Sequence, residues 1–225
     1  MSKFSIVIPS KSATNLAACI GAIRAAGETA RIIVVDDGVD WGATGLTASD
    51  PPAPLKVIKG VKPFVFSRNV NLGIQVAGDD DVIIMNDDAL LETERGFTML
   101  HRAVTEFPKY GIVGAVTDMT GQPLQHPRGV GLRSVGHIAF VCVAIPRRTI
   151  NEFGGLDERY CLDYGCEDRD YCEAIVRSGK LVGVIDDCFV NHSKLTSSFR
   201  GSAAGQTSFA KNYKLLIEKW GTIQP

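Results

Sequence analysis

The sequence lacks a long apolar segment. None of its hydrophobic runs approaches the roughly 18 residues needed to span a bilayer, and Met1-Ser2-Lys3 leads directly into a predicted strand without a signal-peptide pattern. The formal net charge is only -1, which excludes the strong basic field that recruits nucleic acid or anionic membranes. These absences predict a soluble, cytoplasmic protein.

The sequence also lacks the cysteine spacings of a disulfide framework. Its cysteines are scattered through predicted strands and helices, which favours reduced thiols packed as small hydrophobic groups. Three of them cluster, but without the short Cys-x2-Cys pair that structural zinc sites usually contain, so zinc is not predicted. The six are Cys19, Cys142, Cys161, Cys166, Cys172 and Cys188.

What is present is a composition typical of a globular enzyme. The 225 residues are 45% hydrophobic and include 23 glycines, enough for one α/β domain with a sizeable core. In the first half, predicted strands at residues 4–9, 31–35, 55–58 and 81–85 alternate with helices at 14–27 and 67–77, and residues 39–54 form a loop. This alternation predicts a parallel sheet with right-handed crossovers.

The second half is predicted less regularly. Helices are expected at residues 92–107, 167–178 and 208–220, and strands at 111–116, 137–145, 181–185 and 188–191. Residues 117–134 are predicted to form an excursion, and the segment 193–207, rich in Ser, Gly and Ala, is predicted to be mobile. Because no repeat or linker divides the chain, a single domain is favoured.

Three acidic sites follow predicted strands or open a helix. They are Asp36-Asp37, Asn86-Asp87-Asp88 and Glu167-Asp168. Any one alone is compatible with a turn or a helix N-cap. Because open α/β sheets bind ligands beyond the carboxyl ends of their strands, and because hard divalent cations take carboxylate and phosphate oxygens, the three together predict a metal-and-diphosphate site with a base opposite it.

Four segments then occur in an order that resembles one family. They are Ile6-Val7-Ile8-Pro9-Ser10; Ile33-Val34-Val35-Asp36-Asp37-Gly38; Arg68-Asn69-Val70-Asn71-Leu72-Gly73 with Met85-Asn86-Asp87-Asp88-Ala89; and Gly154-Gly155-Leu156-Asp157-Glu158 with Gly165-Cys166-Glu167-Asp168-Arg169-Asp170-Tyr171. From residue 4 to about 192 the sequence resembles the glycosyltransferases of family 2, inverting GT-A enzymes that use nucleotide sugars.

The resemblance implies a fold and a division of the chain. Residues 1–225 would form a single GT-A domain of the α/β class, with a mostly parallel, Rossmann-like sheet flanked by helices and a smaller antiparallel acceptor-side portion. The nucleotide-binding half would comprise residues 1–90 and the acceptor-side half residues 91–192. A mobile loop and a last helix would occupy residues 193–225.

On the donor side the resemblance implies a site for a UDP-, GDP- or dTDP-sugar and for Mn2+ or Mg2+. Asp37, supported by Asp36, would read the base, and Asp87 would lie against the ribose. Asp88 would ligate the metal, with His192 as a second ligand, although a lone histidine after a strand is more often structural. The remaining residues assigned to nucleotide binding are Pro9, Ser10, Arg68 and Asn71.

On the acceptor side the resemblance implies that Asp168 is the general base, with Glu167 shaping its charge or touching the acceptor. The acceptor hydroxyl could belong to a glycan, a protein or a modified nucleobase, and the neutral net charge disfavours DNA. The end of the chain soon after the last predicted helix favours a stand-alone transferase.

The sequence departs from the family pattern at two places. Asn86 cannot supply a charge, so metal binding would depend on Asp88, and Lys11-Ser12 replaces the aromatic or asparagine residue often found after the first strand. Two alternatives stay open: a sugar nucleotidyltransferase and a non-catalytic nucleotide-sugar-binding module. The first normally has a glycine-rich loop after the first strand, and residues 9–13 contain no glycine.

Overall fold

The computed structural model describes residues 3–47, 53–160, 165–196 and 203–223. In these ranges one mixed sheet has the strand order β3-β2-β1-β4-β8-β6-β9-β5, and β7 pairs with β9. The strands are β1 (Phe4–Ser10), β2 (Arg31–Asp36), β3 (Leu55–Lys59), β4 (Asp81–Met85), β5 (Leu90–Leu91), β6 (Tyr110–Thr117), β7 (Leu132–Val135), β8 (Cys142–Ile145) and β9 (Leu181–Asn191).

Helices cover both faces of this sheet. They are α1 (Ala13–Ala25), α2 (Trp41–Thr44), α3 (Phe66–Ala77), α4 (Gly96–Glu106), α5 (Arg147–Phe153), α6 (Glu167–Arg177) and α7 (Ala203–Trp220). Within the described ranges, no helix combines the length and apolar character that crossing a bilayer would require.

Strands β1 to β4 are parallel neighbours, and they lie in residues 1–90, the half of the chain predicted to bind the nucleotide. Their side chains alternate between two buried clusters: Ile6 and Ile8 lie in one, and Val7 lies in the other. Helix α3 packs closely against β1 at Gly73, which has no side chain. A Cβ added there would overlap the side chain of Val7. Burial on both faces explains the unbroken apolar runs of these strands.

The antiparallel part begins where β8 pairs with β4 and with β6. Strands β5 and β7 also run antiparallel to β9, whereas β6 and β9 are parallel. The predicted fold class, a mostly parallel α/β sheet with a smaller antiparallel portion, is therefore confirmed.

Several predicted elements need correction. The two strands expected at residues 181–185 and 188–191 are one strand, β9, whose pairing with β6 shifts register between Ile185 and Phe189. The interruption comes from Asp186 and Asp187, whose carboxylates accept hydrogen bonds from the backbone nitrogens of Arg128 and Gly131. An acidic pair can thus bulge a strand without ending it.

Other boundaries also differ from the prediction. The predicted loop at 39–54 contains α2, capped by Asp40, the strand expected at 137–145 is only β8, and α5 was not predicted. Helix α7 begins at Ala203, so part of the segment predicted to be mobile is helical, while residues 197–202 of it lie outside the described residues. The five described cysteines are buried free thiols, and Cys161 is not among the described residues.

Candidate active site

A cleft of about 1130 Å³ opens at the carboxyl ends of the central strands. This volume suits a ligand somewhat larger than a drug-sized molecule. The cleft brings together predicted residues from distant parts of the chain, namely Pro9, Ser10, Asp87, Asp88, Glu167, Asp168 and His192. The register of the sheet explains part of the gathering, since β1 and β4 are paired in parallel with Val7 opposite Ile84, so that the residues at the carboxyl ends of both strands reach the same edge of the sheet.

Asp87 is held by the loop that follows β1. The hydroxyl of Ser10 donates to Asp87 Oδ2 over 2.6 Å. Burial, with a further contribution from the charge of Asp88, raises the pKa of Asp87 to about 6 even though the hydrogen bond from Ser10 opposes the shift. A nearby cation or hydrogen-bond donor would stabilise the Asp87 carboxylate.

Asp88 is buried beside His192, with 3.1 Å between Asp88 Oδ1 and His192 Nε2. The other ring nitrogen, Nδ1, lies 2.8 Å from the carbonyl oxygen of Met119. Because a carbonyl only accepts, Nδ1 carries the hydrogen, and in the neutral ring Nε2 turns a lone pair toward Asp88. A proton, on the ring or on the carboxyl group, or a cation must then lie between these two atoms.

The spacing of this pair fits a divalent cation. Two adjacent ligands of an octahedral cation, each about 2.1 Å from it, lie about 3 Å apart, close to the 3.1 Å observed between Asp88 Oδ1 and His192 Nε2. In the described part of the chain, no three His, Cys, Asp or Glu side chains converge as a metal site. The other ligands of a cation here would therefore be diphosphate oxygens and water, as is common for Mg2+.

Glu167 and Asp168 open helix α6 after a sharp turn. The turn contains two consecutive residues with left-handed backbone, Gly165 (φ 92°) and Cys166 (φ 81°). Such a conformation is unusual for cysteine and typical of strained functional turns. It directs the first turn of α6 into the cleft, where both acids keep a partly exposed face.

The two acids differ in their support for a negative charge. Burial, and then the charge of Asp168, raises the pKa of Glu167 well above the usual range. Burial also raises the pKa of Asp168, but the backbone nitrogen of Arg169, which donates to Oδ1 over 2.7 Å, and the Arg169 guanidinium oppose the shift. Asp168 is therefore the better anion, and Glu167 the better holder of a shared proton.

Comparison with known proteins identifies the family. The family model described as glycosyl transferase family 2 matches residues 5–133, which is more than half of the 225 residues. This chain belongs to glycosyl transferase family 2. The predicted family, one of glycosyltransferases, is confirmed. The matched range contains Asp36, Asp37, Asp87 and Asp88 but ends before Glu167 and Asp168.

Two solved structures have the same fold as this family 2 chain. One is GalNAc-T7 with UDP, GalNAc and Mn2+, with a TM-score of 0.73 and 14% identity, covering 97% of this chain and 48% of that one. The other is the mannosyltransferase PcManGT from Pyrobaculum calidifontis with GDP-Man and Mn2+, with a TM-score of 0.71 and 16% identity, covering 97% of this chain and 64% of that one. This chain thus spans about half of the first and less than two thirds of the second. It matches no curated protein by sequence.

In this family 2 chain, Asp36 and Asp37 lie at the end of β2 but are not among the residues lining the cleft. Asp36 accepts hydrogen bonds of 2.7 Å from the backbone nitrogens of Gly38 and Val39 and from Trp41 Nε1. Burial alone would raise the pKa of Asp36, but these bonds outweigh it and lower the pKa. Asp36 therefore shapes the turn that carries Asp37.

Asp37 is buried, and its two carboxylate oxygens differ. Oδ2 lies 2.8 Å from the ammonium group of Lys62, whereas Oδ1 is buried without a hydrogen-bond partner in the protein. A buried acceptor without a donor is costly, so Oδ1 is a position where a ligand N–H would stabilise the protein. Sequence reasoning missed Lys62, because it lies 25 residues from Asp37 with no motif to connect them.

Arg68 and Asn71, on helix α3, do not line the cleft. The amide of Asn71 exchanges two hydrogen bonds of 2.8 Å with the backbone of Leu156, and Arg68 Nε lies 3.5 Å from Glu158 Oε2. Both side chains thus fasten α3 to the loop at residues 154–158. Their contacts with a nucleotide stay predictions.

The cleft also contains residues that sequence reasoning missed. Arg169 Nη1 lies 2.8 Å from His137 Nε2, and burial, together with the charge of Arg169, lowers the pKa of His137 to about 4. The position of Arg169 directly after Asp168 could have indicated it. Phe209 and Tyr213 of helix α7, which the sequence does not mark as site residues, are 45% and 47% exposed and line the cleft.

Proposed function

We propose that this chain transfers a sugar from a nucleoside-diphosphate sugar to an acceptor hydroxyl, with inversion at the anomeric carbon. The observation that carries the proposal is that one cleft gathers the Asp88–His192 pair and the Glu167–Asp168 pair. An inverting transfer needs stabilisation of a leaving diphosphate on one side and a base on the other, and these pairs can supply both.

On the donor side, Asp88 and His192 would hold Mn2+ or Mg2+ together with diphosphate oxygens. The bound cation would neutralise the charge that develops on the departing diphosphate. Asp87, held by Ser10, would accept a hydrogen bond from a ribose hydroxyl. The two solved structures of this fold contain UDP and GDP-Man, each with Mn2+, which supports this choice of donor class.

Asp37 would select the base. Its buried Oδ1 can accept a hydrogen bond from a ring N–H, and the neighbouring ammonium group of Lys62 can donate to a carbonyl. Uracil, thymine and guanine each present an N–H next to a C=O, whereas the ring nitrogens on the corresponding edges of adenine and cytosine lack a hydrogen. A uridine, thymidine or guanosine donor is therefore favoured.

On the acceptor side, Asp168 would take the hydroxyl proton as the acceptor oxygen bonds to the anomeric carbon. The bond from that carbon to the diphosphate oxygen breaks on the opposite face, and the nucleoside diphosphate leaves with the electron pair. General-base assistance of this kind typically contributes about 10²- to 10⁴-fold to the rate. Glu167 would stay protonated and donate to the acceptor.

A thermal-shift panel tests the donor side of the proposal. UDP-, GDP- and dTDP-sugars would each be added with and without Mn2+, and at least one should raise the melting temperature by a few degrees only when the metal is present, because a ligand that binds the folded state stabilises it. Nucleoside monophosphates are the matched control, since they lack the diphosphate and should show little metal dependence.

The stereochemical outcome tests the reaction. With the stabilising donor, proton NMR during the first minutes should show a released or transferred sugar whose anomeric configuration is opposite to that of the donor. Retention of configuration would refute the inverting mechanism, and no stabilisation by any nucleotide sugar would refute the donor class.

A further inference from the structure

Helix α7 presents two aromatic rings to the cleft, here called the aromatic wall: Phe209 and Tyr213. Their centroids are 6.0 Å apart, their planes differ by 22°, and the side chains are 45% and 47% exposed. Single exposed apolar residues need no explanation, but neighbouring rings inside a concave site offer a flat ligand-binding surface.

The aromatic wall lies beside the proposed base. A Cβ added at Gly165 would come within 2.8 Å of Phe209 Cδ2, so the ring packs directly over the residue that starts the turn into Glu167 and Asp168. The amide of Asn212 donates to the carbonyl oxygen of Gly165 over 2.9 Å. A molecule resting on the wall would therefore be close to the base loop.

Buried Asp170, two residues after Asp168, fixes the position of α7. Its carboxylate accepts from Trp220 Nε1 over 2.6 Å, from Lys219 Nζ over 2.8 Å and from the Tyr160 hydroxyl over 3.0 Å. A small buried cluster of Tyr160, Cys166 and Leu216 lies beside these bonds. The wall and the base are thus both anchored to the start of α6.

The surroundings indicate the kind of molecule that would rest there. Glu167 and Asp168 disfavour a phosphate group on this side of the cleft, and the Arg169 guanidinium is already engaged with His137 and Glu173. The faces of aromatic rings are negative and attract polarised C–H groups, which a sugar ring provides while its hydroxyl groups reach polar neighbours. Thr120 and Gln122 also line the cleft.

The geometry points to the aromatic wall as the binding surface for a sugar ring of the acceptor, so that the acceptor is a neutral glycan rather than a nucleic acid or a peptide. The inference that the bound sugar is the acceptor rests on the proposed function. Binding of a sugar to the wall can be tested separately, because it requires no turnover.

Saturation-transfer NMR provides the test. The probes are the methyl glycosides of glucose, galactose, mannose and N-acetylglucosamine. A serine-containing peptide and a hydroxymethylcytosine oligonucleotide represent the two alternative classes of acceptor and are tested in the same way. At least one glycoside should receive saturation, strongest at its ring C–H protons. Phe209→Ala and Tyr213→Ala should each weaken its binding roughly 5- to 10-fold, since each removes part of the apolar surface covered by the sugar.

Phe107→Ala is the matched control, because Phe107 is 47% exposed but lies at the end of α4, outside the cleft, so this variant should bind the glycoside normally. Circular dichroism checks that each variant is folded. Glycoside binding that is unchanged in both wall variants would overturn the inference, as would wall-dependent binding of the peptide or the oligonucleotide, or no wall-dependent signal from any glycoside. Calorimetry with UDP or GDP and Mn2+ reports separately on the proposed function.

Discussion

The proposed donor side and the proposed acceptor side of the site are built differently. On the donor side, Asp37 and Asp88 follow β2 and β4, strands in the parallel part of the sheet between two large buried clusters. On the acceptor side, Glu167 and Asp168 start a helix, and the facing wall on α7 is held by a small cluster around Leu216 and by polar bonds to Asp170.

The geometry of one side is therefore determined by the sheet, and the geometry of the other by a few side-chain contacts. Donor-side geometry follows from strand register, so changing it would disturb the main core. Acceptor-side geometry depends on a handful of hydrogen bonds and ion pairs that can change while the sheet stays folded. The family match, which covers residues 5–133, includes Asp37 and Asp88 but not Glu167 or Asp168, in keeping with this division.

The largest effect is expected from a substitution of the proposed general base, Asp168, which should impair transfer but not nucleotide binding. Asp168→Asn should lower transfer roughly 10²- to 10⁴-fold, because the amide cannot accept the hydroxyl proton, while binding of a nucleoside diphosphate with Mn2+ should stay within about twofold. A transfer assay and calorimetry measure the two effects. Glu167→Gln is the matched control and should cost much less, since in the proposed mechanism Glu167 acts as a hydrogen-bond donor and glutamine can also donate. Normal turnover by Asp168→Asn would refute its role.

The converse change addresses the donor side. Asp88→Asn should weaken the Mn2+-dependent part of nucleoside-diphosphate binding by at least about 10- to 100-fold, the range found when even the supporting residues of metal sites are removed. Binding of a methyl glycoside to the aromatic wall should not change. Calorimetric titrations with and without Mn2+ measure the first effect, and saturation-transfer NMR measures the second.

Asp79→Asn provides the control for that experiment. Asp79 is an exposed acid that precedes the amino end of β4, the strand whose other end leads to Asp88, so it changes the net charge equally without approaching the cleft. If Asp88→Asn still bound the nucleoside diphosphate in an Mn2+-dependent manner, the cation would be held by residues other than Asp88.

The sequence predicts the residues at the ends of the strands better than the long-range partners of their side chains, for a physical reason. The apolar runs of β1, β2 and β4 and the acids that follow them are local patterns, and a parallel sheet brings the ends of its strands to one edge. The pairing of Lys62 with Asp37, by contrast, joins residues 25 apart, and the position of Phe209 over Gly165 depends on how α7 docks. Neither leaves a pattern in the sequence.

Errors in the predicted elements have the same origin. The acids Asp186 and Asp187 suggest a break between two strands, but tertiary contacts with the backbone of Arg128 and Gly131 absorb them into a bulge of β9. Asn71 sits in a segment that resembles the family pattern, yet its amide is engaged by Leu156, 85 residues away. Local pattern identifies the element, while long-range partners decide what its side chains do.

A smaller effect is expected when the link between the base helix and the wall is weakened. Asp170→Asn removes the charge that pairs with Lys219 but keeps a similar shape, so docking of α7 should weaken. Amide hydrogen exchange in residues 203–223 should accelerate at least about tenfold, since hydrogen bonds to charged groups contribute about 1.5–3 kcal/mol, and glycoside binding should weaken, with nucleotide binding unchanged.

Lys214→Met is the control for that variant, because Lys214 is an exposed residue of α7 whose side chain pairs with Glu218 of the same helix. It should leave exchange in α7 almost unchanged. If the amides of β1 and β4 in Asp170→Asn lost as much protection from hydrogen exchange as those of α7, the acceptor side would not unfold separately from the sheet. The proposed difference between the two sides would then be wrong.

The smallest effect concerns the pH dependence of the reaction. Asp168 acts as a base only when it is ionised, and burial raises its pKa while Arg169 opposes the rise. The rate of transfer should therefore increase with pH through a pKa above that of an ordinary aspartate. Arg169→Met removes the opposing charge, so the rising limb should move to higher pH by roughly one unit.

His137 is the second group that responds to this substitution. Without the Arg169 charge, the pKa of His137 should rise part of the way toward the usual value, because burial and that charge together hold it near 4. A protonated His137 would partly replace the lost positive charge below that pKa, so the double variant with His137→Gln should show the larger shift. Arg102→Met, at an exposed residue of α4, should leave the limb in place. A limb that moves to lower pH in Arg169→Met would mean that the base on the acceptor side is not the carboxylate that Arg169 supports, and that this side is organised around another group.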